Sequence, residues 1–174
     1  MKNESISTKK IVMTAFFAAI IYLGIQSFRI PLPAAVGTPF LHFGHIFVML
    51  AVLMLGPKLS TVAGAIPNVF VSTIIKCLLV GMIFQALKKK AQGDAKKEYG
   101  YAVLCAAIYG ITNIIVDFIW STVELVVLGS SWSAAWAAEI TSIPATIINA
   151  GFTVVGIAIL YVPVKKAYKR ILGA

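Results

Sequence analysis

Charge is scarce in this chain of 174 residues, and acidic charge is scarcest, with 6 Asp and Glu against 15 Lys and Arg. Charged residues make up 12% of the sequence, whereas a soluble domain is about a quarter charged. Hydrophobic residues make up 60%, and the mean hydropathy is +0.93. No soluble fold of this length could bury so much apolar surface, which excludes a water-soluble globular domain. Cysteine is also rare. Cys77 and Cys105 both lie inside apolar runs, which excludes a disulfide framework and makes them small buried side chains rather than redox groups. The sequence contains no Gly-x-x-x-x-Gly-Lys-Ser/Thr, so the chain supplies no ATP site of that kind, and it contains no His-Glu-x-x-His.

The basic residues that are present are strongly ordered. All but Arg29 and Lys76 fall at Lys2/Lys9/Lys10, Lys58, Lys88–Lys90 with Lys96/Lys97, and Lys165/Lys166/Lys169/Arg170, and long apolar stretches separate these clusters. Cytoplasmic loops of membrane proteins retain Lys and Arg, so the clusters mark one side of a bilayer and the stretches between them become spans. The net charge of +9 then reads as orientation and contact with anionic lipid, not as a nucleic-acid footprint.

The apolar stretches give the spans. The first runs from Ile11 to Phe28, after Thr8-Lys9-Lys10. A signal peptide cleaved near Ala34-Ala35 competes with this reading, but the later spans make cleavage unnecessary. The second runs from Phe40 to Leu55 and stops at Gly56-Pro57-Lys58. Further spans cover Val69 to Leu87, Tyr101 to Leu128 and Ile140 to Val162. If Lys58 and Lys88–Lys90 share a side, an outward crossing must fit between Leu59 and Asn68. Ten helical residues rise about 15 Å, half of a hydrocarbon core of about 30 Å. Parity and charge favour an all-α integral membrane bundle of six transmembrane helices, a single domain over residues 1–174 with both termini cytoplasmic. The third span is then broken, re-entrant, or cut short by an omitted stretch of roughly ten to twenty residues near Ile66-Pro67-Asn68.

Polar residues within spans mark a site or a buried pair, because an isolated charge in hydrocarbon is costly. The fifth span carries Asn113, Asp117, Trp120, Ser121 and Glu124, and the sixth carries Glu139, Ser142, Thr146, Asn149 and Thr153. Each set falls on one helical face. Interhelical hydrogen bonding would account for the Ser and Thr residues. The carboxylates Asp117, Glu124 and Glu139 all lie away from the basic clusters and point to a cavity opening outward. Lys76, isolated in the fourth span, needs a carboxylate, and Asp117 is the natural partner.

Other residues leave more than one reading. His42 and His45 could line the cavity, sit at the interface or share a metal, although no third ligand is near in sequence, so no metal is assigned. Trp132 and Trp136 suit an interfacial aromatic belt, and Trp132 also suits stacking on a flat ligand. Ala15, Ala18 and Ala19 on the first span permit close helix approach.

Several motifs, in order, resemble the substrate-binding S-components of energy-coupling factor (ECF) vitamin transporters: Ala15-Phe16-Phe17-Ala18-Ala19, His42-Phe43-Gly44-His45, Leu53-Met54-Leu55-Gly56-Pro57-Lys58 and Val62-Ala63-Gly64-Ala65-Ile66. The resemblance implies a multi-pass subunit of the bacterial plasma membrane, without catalytic residues or cofactor, that binds a vitamin or precursor near the outer face. It implies as partners a transmembrane T-component, packed on Ala15, Ala18 and Ala19, and two ATPases. Transport in that family proceeds by toppling of the S-component. The wording is most similar to the hydroxymethylpyrimidine or pyridoxine type, with riboflavin, thiamine, folate and pantothenate left open. Such a flat heteroaromatic would suit an aromatic face from Trp120 or Trp132, with His42, His45, Lys76, Asn113, Asp117, Glu124, Glu139 and Asn149 as polar contacts. Two other classes remain: a self-sufficient homo-oligomeric transporter or channel, and an integral-membrane enzyme using Asp117, Glu139 and the His pair.

Overall fold

Among the described residues, four helices are long and apolar enough to cross a membrane: α1 (Thr8–Gln26), α4 (Val71–Ala91), α5 (Ala95–Val127) and α6 (Trp132–Leu172). Two shorter helices, α2 (Gly44–Leu55) and α3 (Pro57–Ala65), lie between α1 and α4. A two-stranded antiparallel ribbon, β1 (Ile30–Pro31) and β2 (Phe40–Leu41), leads from α1 into α2. The computed structural model describes residues 7–27, 29–32, 40–66 and 71–173. The omission expected near Pro67 and Asn68 lies outside the described residues, as does the alternative cleavage at Ala34-Ala35.

Local chemistry sets the turns. Gly56 takes a φ of 77°, a left-handed conformation that a side chain would oppose, and Pro57 then opens α3 at a position where its missing N–H is not needed. Asp94 caps α5 by accepting from the backbone N–H groups of Lys96 and Lys97, and Ser131 caps α6 by accepting from Ala134 N–H. The backbone N–H of Lys97, with that of Lys96, holds the Asp94 carboxyl below the usual carboxylate range.

α2 is apolar all round because it is enclosed. Ile46, Met49, Leu50, Ala51 and Val52 are each 2% exposed or less, and α1, α3, α4, α5 and α6 all pack on this helix. The outer helices are apolar on their exposed faces instead, at Ile111, Ile115 and Ile119 on α5 and Val155 and Ile159 on α6. Such a surface suits a hydrocarbon solvent. Small residues bring helices close: a Cβ at Gly81 would lie 2.8 Å from Pro57 Cα, and one at Gly110 would lie 2.8 Å from Ala150 Cβ.

The basic clusters converge at one end of the bundle. Lys9 Nζ donates to Leu172 O at 3.4 Å, joining the start of α1 to the end of α6. Glu98, near the start of α5, lies 2.6 Å from Lys165 Nζ and 3.6 Å from Lys88 Nζ. α3 runs antiparallel to α4, with Pro57 beside Gly81 and Gly64 beside Thr73. Its nine residues rise about 14 Å, so α3 covers only the length of α4 between those contacts.

Candidate functional site

At the end away from the lysines, α4, α5 and α6 enclose a cavity of about 420 Å³, capped by the segment that enters α2. The polar stripes of α5 and α6 face each other across it. Asp117, Trp120, Ser121 and Glu124 line one side, and Glu139, Ser142 and Thr146 line the other.

The third wall is α4, where Lys76 is 2% exposed. Its ammonium donates to Asp117 Oδ1 at 2.8 Å and to Asn113 Oδ1 at 2.6 Å, and it stands 5.8 Å from the Tyr109 ring centroid. A lysine can be buried at this depth because a carboxylate, an amide oxygen and an aromatic face compensate its desolvation. Glu139 Oε2 accepts from Ser142 Oγ at 3.3 Å. One ammonium thus faces three carboxylates.

The two histidines stand together at the mouth of α2. Their ring centroids are 4.6 Å apart, and both rings line the cavity. His42 Nδ1 accepts from Gly44 N–H at 3.1 Å, and His45 Nδ1 lies 3.3 Å from the Tyr109 hydroxyl. No group of three or more His, Cys, Asp and Glu among the described residues is placed to hold a metal.

Three residues expected to touch a ligand take other positions. Asn149 lies behind the wall, where Nδ2 donates to Phe40 O and Ala145 O, each at 3.1 Å, and Oδ1 accepts from His42 N–H at 3.4 Å. Its amide is fully occupied in holding β2 against α6. Asn113 likewise supports Lys76 from behind. Trp132 stands outside the cavity, 59% exposed at the first residue of α6. It shares a face with Glu139, but seven residues carry it about 10 Å further along the axis. Trp120 lines the cavity as expected, and its buried Nε1 has no hydrogen-bond partner among the described residues.

The cavity also includes Ile25, Phe40, Ser72 and Thr73, which sequence reasoning missed. Ser72 and Thr73 lie one turn before Lys76, so a polar face on α4 was legible there. Ile25 carried no such signal. On the outside of the bundle, Ala15, Ala18, Ala19 and Tyr22 form a shallow, mostly apolar depression with Ile66 at the end of α3.

A bundle of apolar helices around a polar cavity near one end defines a membrane-embedded subunit shaped to hold a small molecule. The chain belongs to the family of ECF-type riboflavin transporter S components, whose family model matches residues 5–170. No curated protein matches the sequence. Among solved structures the fold is similar to the S-component for biotin from an ECF-type ABC transporter, with a TM-score of 0.57 and 18% identity over 90% of this chain and 95% of that one.

Proposed function

We propose that this chain is the binding subunit for a vitamin or vitamin precursor in a bacterial plasma membrane and delivers its ligand inward with an ATP-driven module of a T-component and two ATPases. The carrying observation is the polar cavity opposite the lysine clusters; the positive charge of that end supports placing it toward the cytoplasm, with the cavity toward the outer face. In this reading α2 and α3 take the places of the second and third of six spans, α3 as the broken or re-entrant one, and both termini are cytoplasmic. The family is one of transporter subunits, which weighs against the enzyme reading.

The lining selects the ligand's chemistry. Asp117, Glu124 and Glu139 outnumber Lys76, so the site favours a neutral or cationic ligand rich in hydroxyl, amino or ring N–H donors. A carboxylate-bearing ligand such as biotin would meet repulsion, and the biotin S-component is a guide to fold alone at 18% identity. Riboflavin meets the requirement through its imide N–H and hydroxylated side chain, and the family's name favours it. Hydroxymethylpyrimidine and pyridoxine, which the sequence wording favours, meet it as smaller rings.

Equilibrium binding of riboflavin, hydroxymethylpyrimidine, pyridoxine, thiamine and biotin to the purified chain is the direct test. Saturable binding of one donor-rich heteroaromatic, weakened five- to a hundredfold by Glu124→Gln or Glu139→Gln, is expected. Preference for biotin, or no binding across the panel, would overturn the reading. Copurification with a T-component and two ATPases separates it from a self-sufficient channel, which would show flux on its own.

A further inference from the structure

At the basic end, α2, α4, α5 and α6 enclose a second cavity, of about 170 Å³. Three lysines, Lys88, Lys165 and Lys169, line it with a single carboxylate, Glu98. That carboxylate is already occupied. Glu98 is 6% exposed; Tyr161 Oη donates to Oε1 at 2.7 Å and Lys165 Nζ to Oε2 at 2.6 Å. Lys88 Nζ lies 3.6 Å from Oε1 with its side chain 54% exposed, too long and too wet for a strong pair. The Lys169 ammonium has no hydrogen-bond or ion-pair partner among the described residues. The cavity therefore keeps an excess of positive charge that the protein does not neutralise.

Tyr161 and Tyr168 also line it, and the rest of its wall is apolar, formed by Leu53 and Met54 at the end of α2 and Leu172 at the end of α6. Lysine heads beside an apolar floor reproduce the order of a phospholipid at a leaflet surface, phosphate above and hydrocarbon below. We propose that this cavity binds the phosphate of an anionic phospholipid, with Lys88 and Lys169 donating to the phosphate oxygens and Leu53, Met54 and Leu172 meeting the glycerol and the first part of an acyl chain. Free phosphate shares the headgroup chemistry but would leave the apolar floor without a partner.

The full chain, reconstituted in phosphatidylcholine nanodiscs with a minor fraction of phosphatidylglycerol and then extracted in mild detergent, can be scored for retained lipid by native mass spectrometry. Selective retention of phosphatidylglycerol is expected. The Lys88→Gln/Lys169→Gln variant should lose that selectivity about 25-fold, at roughly fivefold per lysine. Both side chains are exposed, so folding is not at stake. A Lys58→Gln/Lys96→Gln control removes two lysines of the same end from outside the cavity and should retain the lipid as wild type does. Equal loss in the control, or undiminished selectivity in the Lys88/Lys169 variant, would overturn the site. Displacement of phosphatidylglycerol by millimolar inorganic phosphate would assign the cavity to the free ion and overturn the lipid.

Discussion

Lys76 on α4 and Asp117 on α5 form an ion pair of 2.8 Å in which the two partners are unequally buried, with side chains 3% and 30% exposed. The inequality predicts asymmetric mutants. Asp117→Asn leaves the enclosed ammonium without its counter-charge, held by the Asn113 amide and the Tyr109 face, and should destabilise the protein by about 3 kcal/mol. Lys76→Met leaves a carboxylate that can turn to water in the cavity, and should cost about 1 kcal/mol after that screening. Thermal unfolding of both variants in detergent checks the order; a larger loss for Lys76→Met would refute it.

Asn149 ties the segment that carries Phe40 and His42 to α6 through three hydrogen bonds. Asn149→Ala removes all three, and two of the orphaned groups belong to the cavity's cap. Amide exchange at His42 should accelerate, and ligand affinity should fall because His42 and Phe40 are no longer held in place, although Asn149 itself does not line the cavity. Affinity lost with unchanged exchange at His42 would mean that Asn149 contacts the ligand directly.

Ala15 and Ala19 are exposed on α1 beside the end of α3, in a depression that shares no lining residue with the polar cavity. If a T-component packs there, Ala15→Leu/Ala19→Leu should abolish vitamin uptake and weaken assembly with the module, while binding by the isolated chain stays within twofold or so of wild type. Unaltered assembly of the double variant would remove this face from consideration.

The two polar stripes were legible because helical offsets assign a face without any knowledge of the neighbour. The Lys76–Asp117 pair followed because a buried ammonium requires a carboxylate at its own depth, and few are available. What a periodicity cannot give is the direction of approach. Asn149 shares the α6 stripe with Glu139 and Ser142, yet its partners are the backbone groups of Phe40, His42 and Ala145, and only the packed structure shows that its amide is saturated. Helix ends were read short for the same reason: the apolar run from Ile140 to Val162 marks the part of α6 in hydrocarbon, whereas backbone hydrogen bonding continues from Trp132 to Leu172. The ribbon of β1 and β2, two residues per strand, offered no pattern long enough to read.

The short α3 depends on one missing side chain. Gly81 on α4 lets the start of α3 approach so closely that an added Cβ would lie 2.8 Å from Pro57 Cα and 3.0 Å from Pro57 N, both backbone atoms that cannot rotate away. Gly81→Ala must therefore displace the beginning of α3, and overpacking of this kind costs about 1–3 kcal/mol. Gly110→Ala meets the methyl of Ala150 at 2.8 Å and should force α5 and α6 apart at comparable cost. Gly151 offers the control, since a Cβ there meets nothing within 4 Å. Gly151→Ala should be neutral or stabilising by up to about 1 kcal/mol, because alanine loses less backbone entropy in a helix. Melting temperatures of the three variants in one detergent decide the matter. If Gly81→Ala melts with Gly151→Ala, the contact between α3 and α4 is looser than this geometry requires.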